Sequence, residues 1–158
     1  MPDAVTLPDI RTRRLFVATL AVDPILVVGG PSGVGRRIGN APGGHFIGDR
    51  LRGTILPGGS DWQTERGDGT LLLDVRLLLR TDDDALIAMT YTGMRYGPAE
   101  AMARLARGEL VDPSDYYFRT FASFTTSAPA YEWLNRVQAI GVGHRLPEGP
   151  IYDMHELL

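Results

Sequence analysis

With 158 residues, 44% of them hydrophobic, and a formal charge of −3, the chain is one domain's worth, able to bury roughly two thirds of the surface its unfolded form exposes. It has no cysteine, and all 16 of its basic Lys+Arg residues are arginine. Disulfides, thiolate metal sites, cysteine nucleophiles, Schiff bases and a lysine general base are therefore excluded.

The chain starts Met1-Pro2-Asp3-Ala4-Val5 without an apolar leader, and no run approaches the roughly 20 apolar residues of a membrane span. A cytoplasmic protein with no membrane partner is expected. Arginines and carboxylates are interspersed, so no basic stripe is offered to a phosphate backbone and nucleic acid is not an expected partner.

Nineteen glycines and 11 prolines punctuate short apolar runs about every ten residues, the rhythm of an antiparallel barrel or sandwich. Strands are predicted over residues 14–22, 24–28, 45–56, 69–81, 85–93, 116–125, 135–145 and 151–157, in a single domain spanning 1–158. After the second strand, Gly29-Gly30-Pro31-Ser32-Gly33-Val34-Gly35 imitates a dinucleotide loop. That use requires a long βα array and a catalytic Tyr-x-x-x-Lys pair, for which the chain is too short and has no lysine. A phosphate loop fails too, because Arg36 and Arg37 stand where a lysine and a hydroxyl are needed; a flexible glycine-rich loop is expected.

Arg66-Gly67-Asp68-Gly69 and Thr81-Asp82-Asp83-Asp84 supply turn residues on either side of residues 69–81, making that segment a central strand between two hairpins. The acidic triplet lacks the spacing and the distal glutamate of a calcium loop. One short helix is predicted over residues 98–107, opened by Gly97-Pro98 and stopped by Gly108, covering a barrel end or sheet edge as the only helix longer than two turns. A shorter turn of helix is expected after Pro129. His45, His144 and His155 form no i, i+2 or i, i+4 pair, so no metal site is expected.

Residues 71–80 present Leu71, Leu73, Val75, Leu77 and Leu79 on one face and Leu72, Asp74, Arg76, Leu78 and Arg80 on the other. The first face is core. The leucines of the second predict partial cover by the helix, a ligand or a partner subunit, hence a homodimer through an outer sheet face. Asp74 and Arg76 then need partners, either each other or a ligand.

Leu56-Pro57-Gly58-Gly59-Ser60-Asp61-Trp62-Gln63 and Leu72-Leu73-Asp74-Val75-Arg76, with Tyr91-Thr92-Gly93, Tyr117-Phe118-Arg119, Tyr131-Glu132-Trp133-Leu134-Asn135 and Gly43-Gly44-His45-Phe46-Ile47-Gly48, resemble the domain-of-unknown-function 3237 family (uncharacterised protein family 0311) over nearly the whole chain. The resemblance implies a closed antiparallel β-barrel of lipocalin-like size with no established general activity. Ser60 stands where alanine is usual in that family, and Asp84 where glycine is usual.

Asp61 beside Trp62, after a Pro-Gly-Gly turn, is either a turn cap or a carboxylate of raised pKa aimed at a barrel mouth. Tyr91, Tyr117 and Arg119 offer polar tips from apolar strands. Asp61, Tyr91 and Arg119 are the candidate catalytic residues, and Trp62, Arg76, Tyr117 and Trp133 the candidate ligand-binding residues, all expected around one cavity, with Arg76 and Trp133 in or just behind its wall. Two functions are expected of such a cavity. One is a cofactor-free isomerase, cyclase or lyase using acid–base chemistry on a small carbonyl or phenolic substrate; the other is a lipocalin-like small-molecule binding protein.

Overall fold

Along residues 71–81 burial alternates with a period of two: Leu71, Leu73, Val75, Leu77 and Leu79 are buried, whereas Asp74, Arg76, Leu78 and Arg80 are exposed. That is the signature of a strand with one face on a core. In the computed structural model, which describes residues 5–158, this strand closes the fold. Met1–Ala4, four of the five residues on which the expectation of a start without an apolar leader rests, lie outside the described residues.

The strand, β7 (Leu71–Thr81), pairs antiparallel with β8 (Leu86–Tyr96). The ring continues through β9 (Tyr117–Thr125), β10 (Gln138–Leu146), β11 (Gly149–Leu157), β1 (Thr12–Ala21), β4 (Gly43–Ile47) and β5 (Arg52–Ile55), which returns to β7. The result is a closed barrel of eight antiparallel strands. Closure leaves none of the eight ring strands with an open edge to invite mispairing.

A ribbon of three further strands, β2 (Leu26–Gly29), β3 (Val34–Ala41) and β6 (Gly59–Arg66), branches from β7. The branch exists because β5 occupies only residues 79–81 of β7, leaving residues 71–76 to β6.

Both predicted turns are present, with Asp84 in the left-handed region at φ 66 and the Gly69 amide bonded to the Arg66 carbonyl at 3.0 Å. The predicted helix is α1 (Ala99–Ala106), with Ala101 and Leu105 buried. It is not the only helix beyond two turns, since Pro129–Arg136 forms eight residues of 3₁₀ helix at three residues per turn. The segment expected as one strand over 45–56 is a hairpin, β4 and β5, closed by the Gly48 amide on the Leu51 carbonyl at 2.9 Å. The glycine-rich stretch is the β2–β3 hairpin rather than a loose loop, with Val34 N–H on the Pro31 carbonyl at 3.1 Å.

One end of the barrel is an apolar plug in which Phe16 meets Phe46 and Phe124 at centroid distances of 5.5 and 6.2 Å, and the 3₁₀ helix inserts Leu134. Glu156, 4% exposed, is held there by Arg13 and Arg50. The opposite end, where β8 and β10 finish, is polar inside. Among the described residues, no helix is long and apolar enough to cross a membrane.

Candidate functional site

The inward parity of each strand at the polar end fixes which side chains meet. Tyr91 and Arg95 share the inner face of β8, with Gly93 between them; Phe118 faces in from β9, Arg145 from β10, and Pro150 and Tyr152 from β11. Across the mouth, Arg37 and Gly39 of β3 and Asp61 and Gln63 of β6 line the same cavity, which has a volume of about 30 Å³. That is room for a water molecule or two. Gly143 lacks a side chain because the Phe118 ring occupies its place: a Cβ there would sit 2.6 Å from the ring.

Asp61 is positioned by a local opening of the sheet. β6 and β7 pair at Asp61–Val75 and again at Thr64–Leu72, but not at the two positions between. The freed Asp74 N–H donates to Asp61 Oδ1 at 3.1 Å, and Gln63 Nε2 donates to Oδ2 at 2.7 Å. Gln63 is in turn oriented by Arg37, whose Nε donates to Oε1 at 3.2 Å. Burial raises the Asp61 pKa above the ordinary carboxylate value, and the Gln63 and Asp74 hydrogen bonds only partly oppose it.

Facing Asp61 are groups whose polar atoms are unmatched. The Tyr91 hydroxyl and Arg95 Nε are buried and make no hydrogen bond of ordinary geometry, the Tyr152 phenol being the neighbour with which the Tyr91 hydroxyl interacts. Burial pushes the Tyr91 and Tyr152 phenols well above their usual pKa, and lowers that of Arg95 to about 10 and that of Arg145 as well. The Arg95 guanidinium lies 5.4 Å from the Phe118 ring centroid. At the rim, the Tyr116 hydroxyl contacts His144 Nδ1 at 3.0 Å and accepts the Arg145 N–H at 2.8 Å, pinning the backbone that carries Arg145. Among the described residues, no three His, Cys, Asp or Glu side chains gather as metal ligands.

Of the seven residues expected around one cavity, Asp61 and Tyr91 meet there and five do not. A strand that turns Asp61 inward turns Trp62 outward: the indole is 51% exposed, donates to Ser60 Oγ at 3.2 Å and lies under Arg36. Phe118 faces the core, so Tyr117 and Arg119 project from the outer wall, where Tyr117 stacks on Tyr96 at 4.8 Å and Arg119 lies over Tyr117. Trp62, Tyr117 and Arg119 thus line a separate outer groove of about 680 Å³. Arg76 lies on the outer face of β7, as does Asp74, whose contribution to the interior is its backbone N–H. Trp133 is at the opposite end, packed against Arg50 at 4.4 Å. Arg95, Arg145 and Tyr152 were not expected, although Arg95 shares parity with Tyr91 once β8 is carried past Gly93 to Tyr96.

The model of the family described as Protein of unknown function (DUF3237) matches residues 11–157. The chain belongs to the DUF3237 family. UPF0311 protein RPA1785 of Rhodopseudomonas palustris is 33% identical over 96% of this chain and 99% of its own, and the crystal structure of RPA1785 superposes with a TM-score of 0.92. The crystal structure of ABAYE2633 of Acinetobacter baumannii AYE, described as a beta-barrel like protein, is also similar, at 39% identity, 98% coverage of this chain and 100% of that one, and a TM-score of 0.85. A protein from Penicillium herquei described as an enzyme shares the fold at 23% identity, 98% and 99% coverage and a TM-score of 0.76.

Proposed function

We propose that the polar end of the barrel is the active site of a cofactor-free enzyme of isomerase, cyclase or lyase type, acting by proton transfer on a small carbonyl or phenolic molecule. Asp61 moves the proton, and Tyr91, with Tyr152 beside it, donates to the oxygen on which negative charge develops. The observation that carries this reading is the Tyr91 hydroxyl, on a residue 3% exposed and without a hydrogen bond of ordinary geometry, in the same cavity as the half-buried carboxylate of Asp61. Leaving such a donor unmatched costs about 1–3 kcal/mol, a cost that a substrate oxygen would remove.

The carboxylate is suited to the task. Its two N–H bonds orient it and leave lone pairs free, and its raised pKa brings it closer to neutral pH, where general acid–base groups are most effective. A substrate of more than a few atoms enters by displacement of the β2–β3–β6 ribbon, whose outer strand β2 pairs on one side only. A lipocalin-like carrier, by contrast, calls for a larger and more apolar interior. The Penicillium herquei neighbour, described as an enzyme, lends the fold a catalytic precedent.

The test is deuterium incorporation from D2O into phenylpyruvate and a series of other enolisable oxo acids and phenolic acids. Exchange above the buffer rate is expected, reduced about 10²- to 10⁴-fold in Asp61→Asn and about 10²-fold in Tyr91→Phe. Equal exchange by the native protein and Asp61→Asn contradicts the assignment.

A further inference from the structure

Resting on the reading that this cavity takes a small molecule, we infer that the ligand is a monoanion whose carboxylate is received by Arg95 and Arg145. Both guanidiniums line the cavity, and among the described residues neither makes an ion pair, whereas seven other arginines do. Arg37, the third arginine there, has Glu65 at 3.7 Å and a hydrogen bond to Gln63. The remaining charge around the cavity is two arginines against the single carboxylate of Asp61.

Two cations crowded in one water-poor pocket repel each other, and after burial Arg145 is the like charge that most weakens the hold of Arg95 on its proton. Arg95 Nε is buried without an acceptor. Its alternatives within the barrel are the Phe118 ring, which offers a π face and no hydrogen-bond acceptor of ordinary strength, and tyrosine hydroxyls, which carry no charge at neutral pH. An incoming carboxylate supplies what is missing: negative charge and a planar pair of acceptor oxygens that match the guanidinium fork.

A carboxylate is favoured over a phosphate on two grounds. Asp61 faces the same space and would repel a dianion more strongly than a monoanion. The glycine-rich turn that could have cradled a phosphate with backbone N–H groups lies at the tip of the β2–β3 hairpin and does not line the cavity. Combined with the proton-transfer chemistry above, the ligand class is an oxo acid or phenolic acid, its carboxylate on the arginines and its reacting oxygen at Tyr91.

The experiment is calorimetric titration of the whole protein with benzoate, acetate, benzamide and inorganic phosphate at fixed ionic strength. Benzoate is expected to bind saturably at one site, with neutral benzamide and phosphate each at least tenfold weaker. Arg145→Gln and Arg95→Met, each checked for native circular dichroism and melting, are expected to weaken benzoate at least tenfold. Arg145 is only half-buried, so Arg145→Gln serves if Arg95→Met fails to fold. Asp61→Asn is expected to bind benzoate at least as tightly as the native protein, because a like charge is removed. Benzamide equal to benzoate, phosphate tighter than benzoate, unchanged affinity in Arg145→Gln, or no saturable binding of either carboxylate overturns the inference. Because the titration reads no turnover, benzoate binding with exchange insensitive to Asp61→Asn would sink the proton-transfer reading alone.

Discussion

Two carboxylates at opposite ends of the barrel have opposite relations to folding. Asp61 holds its proton more tightly in the folded state than in the unfolded one, so between the unfolded value near 4 and its raised native value the folded state binds more protons. Its contribution to stability therefore falls as pH rises through that window. At Glu156 burial works against the charge, but Arg13 and Arg50 outweigh it and lower the pKa. Its contribution is present above the unfolded value and is lost as pH falls through the native one. Urea unfolding across pH 3 to 7, a range of about four units around the reference carboxylate values, checks both. Asp61→Asn is expected to make stability rise more steeply with pH, and Glu156→Gln to make it rise less steeply. Glu156→Gln should also cost about 1–3 kcal/mol near neutrality, discounted from a fully buried pair because Arg13 and Arg50 are partly in solvent. A Glu156→Gln variant as stable as the native protein would contradict that account.

Where an element buries an apolar face, its course was legible before the structure. β7, β8, β9 and β11 lie where alternation and turn residues put them, and α1 differs from its predicted span by one residue at each end. β3 and β6 were missed for the reason that makes them interesting. They cover a polar mouth, so their inward positions are Arg37, Gly39, Asp61 and Gln63 rather than leucines, and the period-two signal that marks an ordinary strand is absent. The site was half legible on the same account. Tyr91 and Asp61 stood out by chemistry, but assigning Trp62, Tyr117 and Arg119 to the interior needed strand parity, which is set by register across the barrel. Arg95 was lost when the predicted strand ended at Gly93. Two glycines test this geometry. Gly143→Ala forces a methyl into the Phe118 ring and is expected to destabilise the barrel by about 1–3 kcal/mol in denaturant unfolding. At Gly39 a Cβ meets the side-chain ends of Ile25 and Val22 at 3.2 Å, which can yield, so Gly39→Leu is expected to fold yet lose at least tenfold in benzoate affinity by filling the cavity. Native affinity in Gly39→Leu would contradict the position of the cavity.

At the scale of the whole molecule, the barrel divides its labour between its ends. The aromatic plug and the Glu156 cluster close one end with satisfied contacts, while the other keeps a hydroxyl and a guanidinium nitrogen unmatched beside a carboxylate. The outer wall has its own character: Trp62, Tyr117, Phe121, Ile140 and Val142 are each at least 39% exposed. Light scattering at tens of micromolar decides the expected homodimer, a monomer mass removing it. The same wall is the rival location for ligand, because Trp62, Tyr117 and Arg119 gather there around a groove far larger than the inner cavity. Volume favours the outer groove; unmatched buried polar atoms and a carboxylate of raised pKa favour the interior, and only the interior offers proton transfer away from water. A crystal structure of the protein with benzoate separates the two most directly. The interior site predicts density with the carboxylate on Arg95 and Arg145, the ring toward Asp61 and Tyr91, and the β2–β3 hairpin displaced; benzoate seated instead against Trp62 and Arg119, with the inner cavity unchanged, would contradict it.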